Sequence, residues 1–282
     1  MRRPAWAISL MLTGCLGTVL EAPFVLASGL GRVRGLSPSP RHTLLAATAD
    51  GVVEISAEGR VAQLLPGVDA RAVAAHRERV YVLSEDGIRH GPLSADGEVG
   101  ALTLWRRTGI HDIAAGCSET VLFADAEGVG RWTPGSDAVV RLGPRVVGVR
   151  ALALDPLQPC AGVLVLTEEE VRWVTDGASV PVLAGLSVPQ AFGLDRWGGM
   201  WVVEQEPPVL VRRTRSGPEV RARYLGPTSD LLFGPGDLLH PANAYLSGPE
   251  GTLDYARVVP DGERIRAPRP LSTALSGPPG AP

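Results

Sequence analysis

The sequence predicts an all-β fold, a β-propeller of about six four-stranded blades, and three observations carry that prediction. The first is a repeated pattern of strand-length apolar runs: residues 70–73, 80–83 and 87–90 return as 110–115, 120–123 and 128–132, and again as 150–154, 163–166 and 170–174. The second is spacing: the turn after the second run of each copy aligns at Gly51, Gly87, Gly128, Glu170, Pro208 and Gly251, at intervals of 36 to 43 residues. Repeats of about 40 residues made only of short strands are the signature of propeller blades. The third is composition, since Gly 34 and Pro 25 are too many for a helical protein, and no long stretch after the N-terminus shows helical apolar periodicity.

Taken in chain order, the first element is an address. Arg2 and Arg3 precede a short apolar stretch from Ala5 to Thr13, which runs into Leu12-Thr13-Gly14-Cys15. The stretch is too short to span a bilayer, which needs about 20 apolar residues. The four residues resemble the bacterial lipoprotein signal. That resemblance implies cleavage before Cys15, lipid on its sulfur and an acylated amino end, with palmitate among the chains. Leu16 rather than Asp follows the cysteine, which resembles an outer-membrane destination facing the periplasm in a Gram-negative cell. An ordinary secretory signal cut after Ala27 is disfavoured, because Glu21 and Pro23 interrupt the apolar run. The expected organisation is a signal at 1–14, a lipidated tether at 15–23, the propeller at 24–265, and a Pro/Gly-rich disordered tail at 266–282.

The segment Phe24 to Leu30 resembles residues 180–186, the fourth strand of another copy, whereas the last copy lacks an obvious fourth strand. The N-terminal strand is therefore expected to pair with the last blade and close the ring, covering two edges that would otherwise invite aggregation. Within the blades, Asp50-Gly51 and Asp86-Gly87 are strong hairpin dipeptides. Second strands such as Val80-Tyr81-Val82-Leu83 and Met200-Trp201-Val202-Val203 are almost wholly apolar, as strands buried between neighbouring sheets should be. Phe192-Gly193-Leu194-Asp195, a break, and Gly199-Met200-Trp201-Val202-Val203 resemble an NHL-type repeat, echoed by Leu152-Ala153-Leu154-Asp155. The NHL and gluconolactonase-like six-bladed propellers are the families this pattern resembles.

A net charge of -3 and a pI near 6.0 speak against nucleic acid, which requires a basic surface. Cys117 and Cys160 both fall in the break between first and second strands of consecutive blades, so they form either a bridge or two free thiols. Asp50, Asp86, Asp125, Glu127, Glu169 and Glu204 sit at or beside the second turns. Those turns project from one face, an acidic ring that could attract a cation, a basic partner or an amine-bearing ligand. Arg71, Arg107, Arg145 and Arg150, from loops between blades, should approach the same face and neutralise much of it. No nucleophile elbow, phosphate loop or metalloprotease motif is present, so no catalytic residue and no metal ligand is assigned. The gluconolactonase-like resemblance implies calcium held by Glu and Asn/Asp at the channel top, a pattern poorly matched where Asn243 is the only asparagine. The expected function is a lipid-anchored, non-enzymatic binding or scaffolding module of the cell envelope, with another envelope protein or polymer as partner and no cofactor. The alternative is a divalent-metal-dependent lactonase or lyase.

Overall fold

A computed structural model describes residues 18–20, 24–155, 160–195, 199–205, 208–214, 217–223, 228, 230–233, 243–247 and 251–260. The lipoprotein signal with Cys15, and the 266–282 tail, lie outside the described residues. Six antiparallel sheets form the blades, and there is no helix among the described residues. Their first strands are Val33–Pro38, Ala72–His76, Asp112–Ala115, Ala151–Ala153, Pro189–Leu194 and Leu231–Phe233 for blades 1 to 6. Each touches the next and the sixth touches the first, so these inner strands ring a central channel.

The ring closes as expected. Phe24–Ala27 pairs antiparallel with Leu253–Pro260, the third strand of blade 6, and the Leu30 amide donates to the Gly251 carbonyl at 3.0 Å. The sheet begins earlier than expected, however. Thr18–Leu20, assigned from sequence to a tether, pairs with Val258–Pro260 in the same register direction. The physical reason is local: Val258 and Val259 continue the blade-6 third strand, and Thr18-Val19-Leu20 supplies β-prone residues to pair with them.

Apolar contacts between blades hold the disc together. Tyr81, Leu83 and Ile88 of blade 2 pack on Ile113, Phe123 and Trp132 of blade 3. Trp201, Val203 and Leu210 of blade 5 pack on Leu231 and Leu246 of blade 6. At the closing junction, Ala27, Tyr245 and Leu253 pack on Leu36, Leu44 and Ile55. Truncating a fully buried aromatic such as Phe123 or Trp201 to alanine should cost about 3–5 kcal/mol.

The second turns are held by chemistry that repeats. Thr48 and Ser84 hydroxyls accept from or donate across the Asp50-Gly51 and Asp86-Gly87 hairpins. Gly51 and Gly87 have φ of 143° and 141°, and a Cβ there would collide with the Leu65 and Trp105 carbonyl oxygens of the fourth strands. Asp195, in the NHL-like signature, accepts from the Gly199 amide at 2.7 Å and the buried Trp201 indole at 2.9 Å. It orders a turn and a core side chain.

Candidate functional site

Chain direction fixes two faces. Every inner strand starts on the face that carries the second turns and the loops between blades, called here the turn face. The first-to-second and third-to-fourth connections lie on the opposite face. Aligned through their pairing with second strands and the cores they face, Gly35, Ala72, Asp112, Ala151, Ala191 and Asp230 occupy one position at the top of the six inner strands. Four are glycine or alanine. The two aspartates fall in blades 3 and 6, which are directly opposite in a six-membered ring.

Each aspartate makes the same contacts. Asp112 Oδ1 accepts from its neighbour Ile113 N at 2.8 Å, and Oδ2 accepts from Leu152 N of blade 4 at 2.7 Å. Asp230 Oδ1 accepts from Leu231 N at 2.8 Å, and Oδ2 from Leu36 N of blade 1 at 2.6 Å. Each carboxyl thus ties its inner strand to that of the next blade. Both keep a little solvent contact through the channel but are enclosed by protein. Burial pushes each carboxyl up to about 7, against the pull of the backbone amides, and the charge of Asp230 adds to the upward push on Asp112. Near neutral pH the channel mouth can therefore gain or lose protons, or set negative charge against a cationic group.

The sequence did not single out either residue. The signal that could have found them is an acid at a first-strand position that is otherwise Gly or Ala.

The acidic ring meets arginines as expected: Asp86, Asp125 and Glu127 of it are ion-paired. Arg71 lies 3.8 Å from Glu85, Arg150 lies 3.4 Å from Glu168, and Arg150 also donates to the Pro189 carbonyl of blade 5. Asp125 receives Arg107 at 2.8 Å and both terminal nitrogens of Arg141 at 2.8 Å, and Arg141 also meets Glu127. Burial alone would raise the Asp125 carboxyl, but the bonds from Arg141 and Arg107 and the Glu127 amide hold it at about 2. Asp125 and Glu204 are buried, so they support the face from beneath and do not present charge to a partner. Asp50, Glu127 and Glu169 are exposed, and Asp86 is half-buried beside Ser84 and Arg89.

A disulfide joins Cys117 and Cys160 with Cα atoms 5.5 Å apart, linking the first-to-second turns of blades 3 and 4 on the opposite face. Beside it a cleft of about 590 Å³ runs between these blades, lined in part by Thr120, Leu122, Arg131, Leu142 and Asp176.

Among the described residues, the channel mouth does not present the ligand cluster that calcium, implied by the gluconolactonase-like resemblance, would need. All four oxygens of Asp112 and Asp230 already accept backbone amides. Asn243 pairs with Arg257 at the other end of its strand, away from both aspartates. Among the described residues, no three His, Cys, Asp or Glu side chains converge as metal ligands.

No family model and no curated protein matches the sequence. Solved structures do resemble the fold. A gluconolactonase from Xanthomonas campestris is 16% identical with a TM-score of 0.67, covering 86% of this chain and 91% of its own. A PQQ-bound aldose sugar dehydrogenase from Streptomyces coelicolor is 16% identical with a TM-score of 0.63, covering 86% and 99%. An auxiliary nutrient binding protein from Bacteroides thetaiotaomicron is 9% identical with a TM-score of 0.64, covering 82% and 70%. At these identities the likeness is one of fold alone, and the named roles range from binding to catalysis.

Proposed function

We propose that this chain is a lipid-anchored protein of the cell envelope whose propeller is a non-enzymatic binding module for another envelope protein or polymer. The observation that carries the reading is the Cys117–Cys160 bond. Structural disulfides persist in oxidising compartments and are rare where glutathione keeps thiols reduced. The bond thus fits an exported chain, as does the Leu12-Thr13-Gly14-Cys15 box at its start. On the turn face Asp86, Asp125 and Glu127 are paired with arginines, and each oxygen of the two described channel-mouth carboxyls, Asp112 and Asp230, accepts a backbone amide. Such a surface suits recognition by shape and placed charge better than metal-assisted hydrolysis. One similar structure is a nutrient binding protein, which is a precedent for binding on this fold.

Metabolic labelling with an alkyne palmitate analogue tests the anchor. The wild type should be labelled and sediment with membranes, and Cys15→Ala should do neither; equal labelling of both overturns the reading. Cross-linking in intact cells followed by mass spectrometry should then capture one envelope component reproducibly. The lactonase or lyase alternative predicts a thermal shift with calcium or zinc, because a ligand at a hundredfold its Kd adds about 2.7 kcal/mol. Such a shift, abolished by Asp112→Asn or Asp230→Asn, would displace the binding-module reading.

A further inference from the structure

The N-terminal strand runs from the opposite face towards the turn face, because it is antiparallel to a third strand that descends from the turn face. Thr18, paired with Pro260, is thus its outermost residue on the opposite face. Val258–Pro260 is paired by Thr18–Leu20, which also contacts Gly217–Arg223, the fourth strand of blade 5. Three peptide steps separate Thr18 from Cys15, a span of at most about 11 Å even when fully extended.

We propose that the opposite face, on the side where Thr18–Leu20 joins blade 6 beside blade 5, rests on the membrane surface, and that the turn face, with its channel mouth, points away from it. The inference rests on the lipid-anchor reading and adds an orientation to it. A lipoprotein with a long flexible tether samples many orientations, since the reach of such a linker grows with the square root of its length. Here the chain enters the sheet almost at once, so the anchored end and the disc move together. The occupant of this face is the bilayer that holds the acyl chains, because the distance from Cys15 to the first paired residue leaves no room for another protein layer. A soluble partner then meets the turn face, where the paired arginines and exposed Asp50, Glu127 and Glu169 are displayed.

Blade 1 supplies a matched pair of probes. Ala49 is exposed at its second turn on the turn face, and Ala57 is exposed at its third-to-fourth turn on the opposite face. The latter turn abuts the closing strand, because Gly59 packs on the Leu26 carbonyl. Native cysteines do not compete for label, with Cys15 occupied by lipid and Cys117 bonded to Cys160.

The test uses full-length, palmitate-labelled Ala49→Cys and Ala57→Cys proteins carrying an environment-sensitive fluorophore. They are reconstituted into phosphatidylethanolamine and phosphatidylglycerol vesicles containing headgroup-nitroxide lipid. The Ala57 position should be quenched several-fold more strongly than Ala49. A long Gly/Ser insertion after Cys15 should bring the two values together. Equal quenching without the insertion, in protein that carries the palmitate label, overturns the orientation and leaves the anchor standing. Absence of the palmitate label overturns the anchor reading itself.

Discussion

The junction between blades 3 and 4 and the junction between blades 6 and 1 share one device and differ in another. In both, an aspartate at the top of an inner strand accepts an amide from the next blade, at 2.7 Å from Leu152 and 2.6 Å from Leu36. Beyond that, blades 3 and 4 are continuous in sequence and carry the Cys117–Cys160 bond on the opposite face. Blades 6 and 1 meet through chain segments about two hundred residues apart, such as Leu36 and Asp230 at a separation of 194, and the N-terminal strand completes the blade there. The ring is thus joined covalently at one junction and by strand addition at the other.

Removing the reinforcement at the closing junction should have the largest effect. Deleting residues 18–27 uncovers the edge of Leu253–Pro260 and the apolar surface of Tyr245 and Leu253. The deleted protein should lose its cooperative thermal transition and aggregate. A normal transition by calorimetry would show that the N-terminal strand is dispensable.

Next comes the disulfide. Replacing both cysteines by serine releases a crosslink of sequence separation 43. A loop of that length is worth about 4 kcal/mol in the chain-entropy account. Chemical denaturation of the double variant against the oxidised wild type measures it.

The aspartate ties should be smaller and unequal. Asp230→Ala and Asp112→Ala each leave buried amides without an acceptor, at about 1–3 kcal/mol. The loss should be greater at Asp230, because its junction has no covalent bond to share the load. Equal losses would mean that the two junctions behave alike. The pH dependence sharpens the same point. A carboxyl raised to about 7 in the fold keeps its proton where the unfolded chain has lost it. Its stabilisation is present below the unfolded value near about pH 4 and is lost as pH rises through about 7. Asp125 has the reverse sign: held at about 2, it contributes above the unfolded value and its contribution disappears as pH falls through about 2. Melting temperatures should therefore fall from about pH 5 to about pH 8, and the Asp112→Asn/Asp230→Asn double variant should flatten that slope.

The smallest effect belongs to the turn-face pair Arg71 and Glu85, 3.8 Å apart and well exposed. Arg71→Ala should change stability by no more than about 0.5 kcal/mol, a difference readable by the denaturation midpoint.

Much of the architecture was legible in particular residues. The hairpin dipeptides Asp50-Gly51 and Asp86-Gly87, the apolar second strands and the likeness of residues 24–30 to 180–186 located blades and closure. Such features are local, so one sequence exposes them. The site was less legible. Acidic turns were visible, but not that Asp125 would be buried between Arg107 and Arg141, since Arg141 comes from the outer strand of its blade. Asp112 and Asp230 look like ordinary acids ahead of apolar runs, 118 positions apart (230 less 112). Only when six inner strands are set in a ring do they share one position and face one channel.

By itself, then, the sequence determined the repeat, its strands and turns, and the two ends that must meet. These depend on side-chain pattern and on the conformational freedom of glycine over a few residues. Only the tertiary structure decided which charges neutralise one another, where two carboxyls are enclosed together, and that the strand after Cys15 starts on the face opposite the turns. Those properties depend on distances between segments far apart in the chain, and such distances exist only once the ring has closed.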